Sequence, residues 1–370
     1  MFCALLESRK FADMAAEIRV LIVDDSELVQ EVLRSIFQSA SELAVAGVAG
    51  NGREAVELTA KLRPDVIVMD INMPELDGLE ATQKIMAYYP TPILILTSMD
   101  GAEVAFQALS NGALEVMEKP ELDAEKCREL IRKIKLSAGV RVATHIAGRR
   151  SGEERSETIH HQQPVEPTVS PRPLAASGAS PVRVIGIGSS TGGPNALGQI
   201  FSALPIGFPA SILVVQHIAD GFVPVLVNWL NNISPMRVKE AEDAERLAPG
   251  IAYIAPSDVH MELVGDRIAL NAAPPLAGHR PSADILLSSV AKYCGEKSMG
   301  IILSGMGRDG AKGAKEIRNA GGYTVAQNEE TCVVFGMPGA AVELNGVNRV
   351  LNPQEIAAAM LQQVQEGKKP

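Results

Sequence analysis

The sequence predicts an α/β protein of two doubly wound domains with mainly parallel sheets, joined by a flexible linker. Three observations predict it. Short apolar, strand-like runs alternate with helical segments from Ile18 to about Ala138, and the same alternation resumes at Val182. Several of these runs end in a polar residue with chemistry to offer. Between the two halves, residues 148–181 read RRSGEERSE, HHQQ and PVEPTVSPRPLAASGASP, charged and then rich in Pro, Ser and Ala, with no apolar periodicity. The chain of 370 residues is long enough for two domains, each with its own core.

Taken in order, Ile18–Val23 is a strand-like run that ends at Asp24. Residues 26–39 place Leu28, Val29, Val32, Leu33, Ile36 and Phe37 on one helical stripe, with Ser26 as the N-cap. Residues 65–69 form a second strand-like run and end at Asp70. Residues 92–96 end at Thr97, and Val116–Met117 precedes Lys119 and Pro120. In the second half the strand-like runs are 182–187, 210–215 and 300–303, with helical candidates between them. The expected bounds are an extension over 1–17, a first domain over 18–137, a linker over 138–181 and a second domain over 182–366. Residues 1–13 read as an extension before a functional start at Met14. Glu7, Arg9 and Lys10 interrupt it, so it is not a signal peptide.

Composition narrows the function. Aromatics make up 4% of the chain and the net charge is −10, which argues against a nucleic-acid partner. The 4 cysteines, Cys3, Cys127, Cys294 and Cys332, lie far apart, so neither a thiolate zinc site nor a disulfide framework is expected. His160 and His161 read as solvated linker rather than a metal site. No apolar run approaches the roughly 18 residues that span a bilayer, and the expected location is the cytoplasm.

In an open parallel sheet, ligands bind at the carboxyl ends of the strands. Asp24, Asp25, Asp70, Thr97 and Lys119 all fall at such ends, so folding should gather them. Crowded carboxylates repel, and a hard cation relieves the repulsion. Magnesium suits a few carboxylates plus phosphate oxygens. Asp70 can then take a phosphoryl group as an acyl phosphate, with Lys119 and the Thr97 hydroxyl on the phosphoryl oxygens. The plainer alternatives are a calcium or structural metal site, or unliganded strand-end acids. Five positions in this order favour phosphoryl chemistry.

The second half holds Gly186-Ile-Gly-Ser-Ser-Thr-Gly-Gly-Pro194 between a strand and a helical segment. It is a poor dinucleotide fingerprint, because Thr191 stands where the third glycine is needed and the next strand ends in Gln216-His217. A hydrolase fits better. A serine on a tight strand-to-helix turn meets free N–H groups and a positive field that hold an oxyanion. It needs a base, and His217 ends the neighbouring run; His260 is the alternative. An acid must orient that base, and Asp309 lies in a Gly-rich loop after 300–303; Asp284 and Asp258 compete with it. Ser189 and Ser190 are not separated by these arguments.

The first half resembles the receiver domain of two-component response regulators, through VLIVDDS, VIVMDINMPELDG, ILILTS and MEKP across residues 18–137. That resemblance implies a flavodoxin-like fold, phosphorylation of Asp70 by a histidine kinase, and magnesium on Asp24, Asp25 and Asp70. Val116 departs from the switching aromatic that many receivers carry. The second half resembles the catalytic domain of chemotaxis protein-glutamate methylesterases, through IGSSTGGP, VVQHIADGF, YIAPSDVHMEL, HRPSADILLSSVA, LSGMGRDGA and NEETCVVFGMP across residues 182–345. It implies a Rossmann-like domain with Ser190 as nucleophile, His217 as base, Asp309 as orienting acid and the Met306 N–H in the oxyanion hole, with no cofactor at the esterase site. The implied substrate is methylated glutamate on the cytoplasmic helices of chemoreceptors, with deamidation of receptor glutamines by the same route. The implied setting is the cytoplasm, with no insertion into the membrane.

Two other readings stand beside this one. The chain can be a phosphorylation-switched binding or adaptor protein with an idle triad, or the same enzyme serving a pathway other than motility.

Overall fold

The computed structural model describes residues 17–98, 102–120, 123–140, 142 and 183–365. The expected N-terminal extension with its start at Met14, and nearly all of the expected linker, lie outside the described residues.

The first domain runs β1 (Ile18–Val23), α1 (Glu27–Gln38), β2 (Leu43–Ala49), α2 (Gly52–Leu62), β3 (Val66–Asp70), α3 (Gly78–Tyr88), β4 (Ile93–Thr97), α4 (Ala102–Ser110), β5 (Glu115–Glu118) and α5 (Ala124–Ser137). All neighbouring strands pair parallel, in the order β2-β1-β3-β4-β5. Successive side chains on a strand face opposite ways, and both faces are covered. Val20, Ile22, Val68 and Leu94 pack with Leu33 and Phe37 of α1 and with Leu130 and Ile134 of α5. Leu21, Val23, Ile67 and Ile95 pack instead with Ala55 of α2, Ile85 of α3 and Phe106 of α4. Ser26 caps α1, its Oγ accepting from the Val29 N–H. The expected stripe on α1 is narrower than predicted. Leu33, Ile36 and Phe37 are buried, but Leu28, in the first turn, is 75% exposed.

The second domain runs β6 (Val184–Ser189), α6 (Gly193–Ser202), β7 (Ser211–Gln216), α7 (Val223–Ile233), β8 (Arg237–Glu240), β9 (Ile251–Ile254), β10 (His260–Val264), β11 (Arg267–Asn271), α8 (Ala283–Cys294), β12 (Ser298–Ile302), α9 (Ala311–Asn319), β13 (Tyr323–Gln327), α10 (Gly336–Glu343), β14 (Arg349–Leu351) and α11 (Pro353–Gln365). Seven of its strands form one parallel sheet, β14-β13-β12-β6-β7-β9-β8, and β10 and β11 form a separate antiparallel pair. Between 210–215 and 300–303 the sequence reading named helical candidates alone. The structure adds four strands there, β8 to β11. They are short, and β8 (Arg-Val-Lys-Glu) carries three charges in four residues at the sheet edge, so no apolar run marks it.

From β6 the sheet extends through β7, β9 and β8 on one side, and through β12, β13 and β14 on the other. The strand order therefore reverses between β6 and β12, and the crevice at their carboxyl ends is where such sheets take ligands. The glycines that mimic a nucleotide fingerprint serve packing. A Cβ on Gly188 would lie 2.7 Å from the Ala283 Cβ, so glycine is what lets the first turn of α8 press onto β6.

The domains share a continuous core. Phe106 of α4 is 1% exposed and packs against the rings of Phe222, the N-cap of α7, and Trp229 within it, at centroid distances of 6.2 and 6.0 Å. Among the described residues, no helix is long and apolar enough to cross a membrane.

Candidate functional site

Two sites form, one at the carboxyl end of each sheet. In the first domain Asp24 follows β1 and Asp70 closes β3. Carboxylate oxygens of Asp24, Asp25 and Asp70 all lie within 4.8 Å of one another. Lys119, just past β5, reaches across, with Nζ 2.8 Å from Asp24 Oδ2 and 3.2 Å from Asp70 Oδ2. Backbone ties hold the geometry. The Asp24 carboxylate accepts from the Ser26 N–H at 3.0 Å, and the Lys119 N–H donates to the Thr97 carbonyl at 3.0 Å. Thr97 is fully buried and its hydroxyl donates to the Ser98 carbonyl.

The charges in this pocket do not balance, since one ammonium faces three carboxyls. Burial, with Asp24 beside it, raises the Asp70 carboxyl above its ordinary range despite Lys119. Burial alone would lower Lys119, but Asp24 and Asp70 outweigh it and raise it. A compact, all-oxygen donor set with a surplus of negative charge fits a hard divalent cation.

In the second domain, Ser190 sits at the first residue past β6. Its N–H donates to the Ser304 carbonyl past β12 at 3.0 Å, so it stands at the reversal of strand order. The Gly193 N–H closes the turn on the Ser190 carbonyl at 2.8 Å. Gly192 adopts φ +77°, a left-handed conformation that a side chain resists, and a Cβ there would lie 2.5 Å from Val333. Two polar side chains clamp the turn. The Gln216 amide donates to the carbonyls of Ser190 (2.8 Å) and His217 (2.9 Å), and Ser304 Oγ donates to the Thr191 carbonyl (2.7 Å). Ser189 is fully buried with its hydroxyl on Gln216 Oε1 at 2.7 Å, whereas Ser190 is partly exposed at the crevice.

β6 and β7 pair in register up to Ser189 and Gln216, and the His217 N–H donates to the Ser189 carbonyl at 2.9 Å. His217 is thus the neighbour of Ser190 across the sheet. Its Nε2 lies 3.0 Å from Asp309 Oδ2, while Nδ1 is buried with no hydrogen-bond partner among the described residues. Asp309 is held at the start of α8, where its carboxylate accepts from the Ser282 hydroxyl (2.7 Å) and from the N–H groups of Ala283 (2.6 Å) and Asp284 (2.9 Å). Burial would raise its carboxyl, but the His217 bond and these donors overcome that and hold it at about 2.

The competing residues are engaged elsewhere. His260 is fully buried, with Nδ1 accepting from the Ser282 N–H and Nε2 at the Pro274 carbonyl. Asp284 accepts from the Gly313 N–H, and Asp258 pairs with Arg280. Met306 follows Ser304 in the same loop, and among the described residues its N–H meets no backbone acceptor. The Arg132 guanidinium of α5 hydrogen-bonds the Met306 sulfur, so the first domain reaches the rim of the second site. Gln216, Ser282 and Ser304 are not among the site residues that the sequence predicts. Ser282 had a local signal, as a serine directly before an apolar-periodic helix; the other two act through distant backbone and had none.

A flavodoxin-type domain with an acid cluster, packed on a doubly wound domain with serine, histidine and aspartate at its switch point, defines a response regulator with a hydrolase-type effector domain. Family comparisons agree. Residues 20–132 match the response regulator receiver domain, and residues 185–360 match the CheB methylesterase. A protein-glutamate methylesterase/protein-glutamine glutaminase of Anaeromyxobacter dehalogenans is 44% identical, covering 93% of this chain and 96% of that protein. One from Bdellovibrio bacteriovorus is 38% identical, covering 95% and 99%. The crystal structure of the Thermotoga maritima CheB methylesterase catalytic domain is 39% identical over 49% of this chain and 98% of its own, with a TM-score of 0.48. This chain belongs to the receiver-linked CheB methylesterase family.

Proposed function

We propose that this chain is a phosphorylation-activated protein-glutamate methylesterase of bacterial chemotaxis. On this reading it hydrolyses glutamate methyl esters on the cytoplasmic helices of chemoreceptors in the cytoplasm and deamidates receptor glutamines by the same steps. The observation that carries it is the pairing of His217 Nε2 with Asp309, which leaves Nδ1 as the only ring nitrogen free to serve Ser190. The ionised Asp309 selects the tautomer with hydrogen on Nε2 and the lone pair on Nδ1.

The Ser190 hydroxyl passes its proton to His217 Nδ1 as Oγ bonds to the ester carbonyl carbon. Asp309 stabilises the imidazolium across the Nε2 bond. The carbonyl oxygen, now an oxyanion, takes the Met306 N–H and the field of the α6 N-terminus. Collapse breaks the bond to the methoxy oxygen, which leaves as methanol with the proton from Nδ1. Water then gives a proton to Nδ1 as its oxygen attacks the acyl carbon, collapse breaks the bond to Oγ and returns that proton to Ser190, and the glutamic acid released loses its remaining proton to solvent as the carboxylate. For a glutamine, ammonia leaves in place of methanol.

In the receiver, Asp24, Asp25 and Asp70 would hold magnesium, which neutralises phosphoryl oxygens during transfer. Asp70 takes the phosphoryl group from a histidine kinase, and Lys119 and Thr97 are the residues placed to answer its charge. The docked receiver covers the serine site through Arg132 on Met306 and Phe106 on α7. Phosphorylation shifts a two-state docking equilibrium toward the open form.

The test is methanol release from methylated receptor membranes by the wild type and by Ser190→Ala, each with and without acetyl phosphate and magnesium. Release that rises with the phosphodonor and vanishes in Ser190→Ala is expected. Binding to receptors with no release under any condition would sink the enzymatic reading in favour of an adaptor.

A further inference from the structure

His279 lies against the catalytic pair and the steps above give it no part. Its imidazole stacks on His217 with ring centroids 4.3 Å apart and planes 3° from parallel. It is carried by a tight turn in which Leu276 and His279 exchange both backbone hydrogen bonds, at 3.1 and 3.0 Å. The two central residues, Ala277 and Gly278, adopt φ +50° and +87°, the left-handed pair that a two-residue hairpin turn needs. Alanine resists that conformation, so the turn stores strain at this position. The next residue, Arg280, anchors the turn through Asp258 and through the carbonyls of Ala272 and Ala273.

A hydrogen bond at Nε2 fixes one corner of the His217 ring and leaves its tilt free. A parallel ring against its face removes that freedom. The electrostatics add a second argument. Two neutral rings stacked face to face gain little, because like quadrupoles meet. Once His217 has taken the serine proton, the same geometry sets a cation on a π face, inside the ~6 Å range of such contacts. The contact therefore strengthens as charge develops, which is the condition for a catalytic contribution. Burial, and then the neighbouring His217, lower the His279 imidazole, with Asp309 and the receiver's Glu129 opposing and Arg132 adding to the effect. These surroundings favour the neutral form of the stacked ring.

We propose that His279 is a positioning residue for the ester hydrolysis: its stacked ring holds the plane of His217 with Nδ1 toward Ser190 and supports the imidazolium. This rests on the triad reading above.

The experiment compares full-length wild type, His279→Ala, His279→Phe and His217→Ala on methylated receptor membranes with saturating acetyl phosphate and magnesium. Rates are normalised to the folded fraction from thermal melts. The expected result is a kcat about 10-fold lower in His279→Ala with KM unchanged, and most of it restored in His279→Phe, whose ring keeps the stack. An unchanged kcat in His279→Ala overturns the proposal, as does an equal loss in His279→Phe, which would mean that a ring nitrogen matters rather than the stack. Activity retained in His217→Ala would instead bring down the triad reading itself.

Discussion

Asp309 shows how one residue collects its function from its surroundings. A carboxylate that accepts from a hydroxyl, three N–H groups and an imidazole is held at about 2 although it is buried. Its folded value is depressed below the ordinary 3.8. The stability it contributes is present above about pH 4 and is lost as pH falls through 4 toward 2. A shift of this size corresponds to about 2 kcal/mol. Melting temperatures recorded from pH 6 down to pH 2 should fall less steeply in Asp309→Asn than in the wild type. The same variant should lose about 10⁴-fold in kcat, because an amide can present its NH2 to Nε2 and so put the hydrogen on the wrong ring nitrogen. Steady-state methanol release reads that loss.

At the scale of elements, the proposed active site is two helix starts pressed onto one strand. α6 begins beside Ser190, and α8 begins beneath Asp309. Ser282 caps α8 and donates to Asp309 with the same hydroxyl. Ser282→Ala should cost about 1 kcal/mol as a lost cap, measured by urea unfolding, and should lower kcat by loosening the acid. The turn into α6 is less forgiving. Gly192→Ala meets both the φ +77° backbone and the Val333 side chain, so a loss of about 2 kcal/mol is expected, with a larger fractional loss of activity than of stability. A variant that melts and turns over like the wild type would show that this turn is not rigid.

Across the whole molecule the two sites are linked by packing. α4 follows β4, whose last residue Thr97 is tied to Lys119 by a backbone hydrogen bond. α4 carries Phe106 against the rings of Phe222 and Trp229. α5 carries Arg132 to Met306. Phe106→Ala and Arg132→Ala should each raise methanol release without phosphodonor by a few-fold and shrink the further rise on adding it, since each weakens docking by roughly 1 kcal/mol. The 182–370 fragment should outrun the full chain under the same conditions. Equal rates for fragment and full chain would defeat the cover model. Val116 is buried in β5, so that position offers no aromatic rotamer to the proposed coupling, and the interdomain contacts named above lie on α4 and α5.

The alternation of apolar runs with helical stripes was legible without coordinates, because a buried parallel strand must be apolar on both faces. The strand-end acids were legible for the same reason, since a charge that closes such a run has only the sheet's end to occupy. The motifs around Ser190, His217 and Asp309 also lay open to comparison. The edge strand β8 was hidden, because a charged edge strand carries no periodic signal. Local sequence did not separate Ser189 from Ser190; their backbone neighbours do, turning one hydroxyl into the sheet and the other to the crevice. Which ring nitrogen of His217 meets Asp309, the His279 stack and the reach of Arg132 to Met306 were decided only in three dimensions. Each depends on the approach of segments 62 to 174 residues apart, and pairings at that range are set by packing rather than by any local pattern.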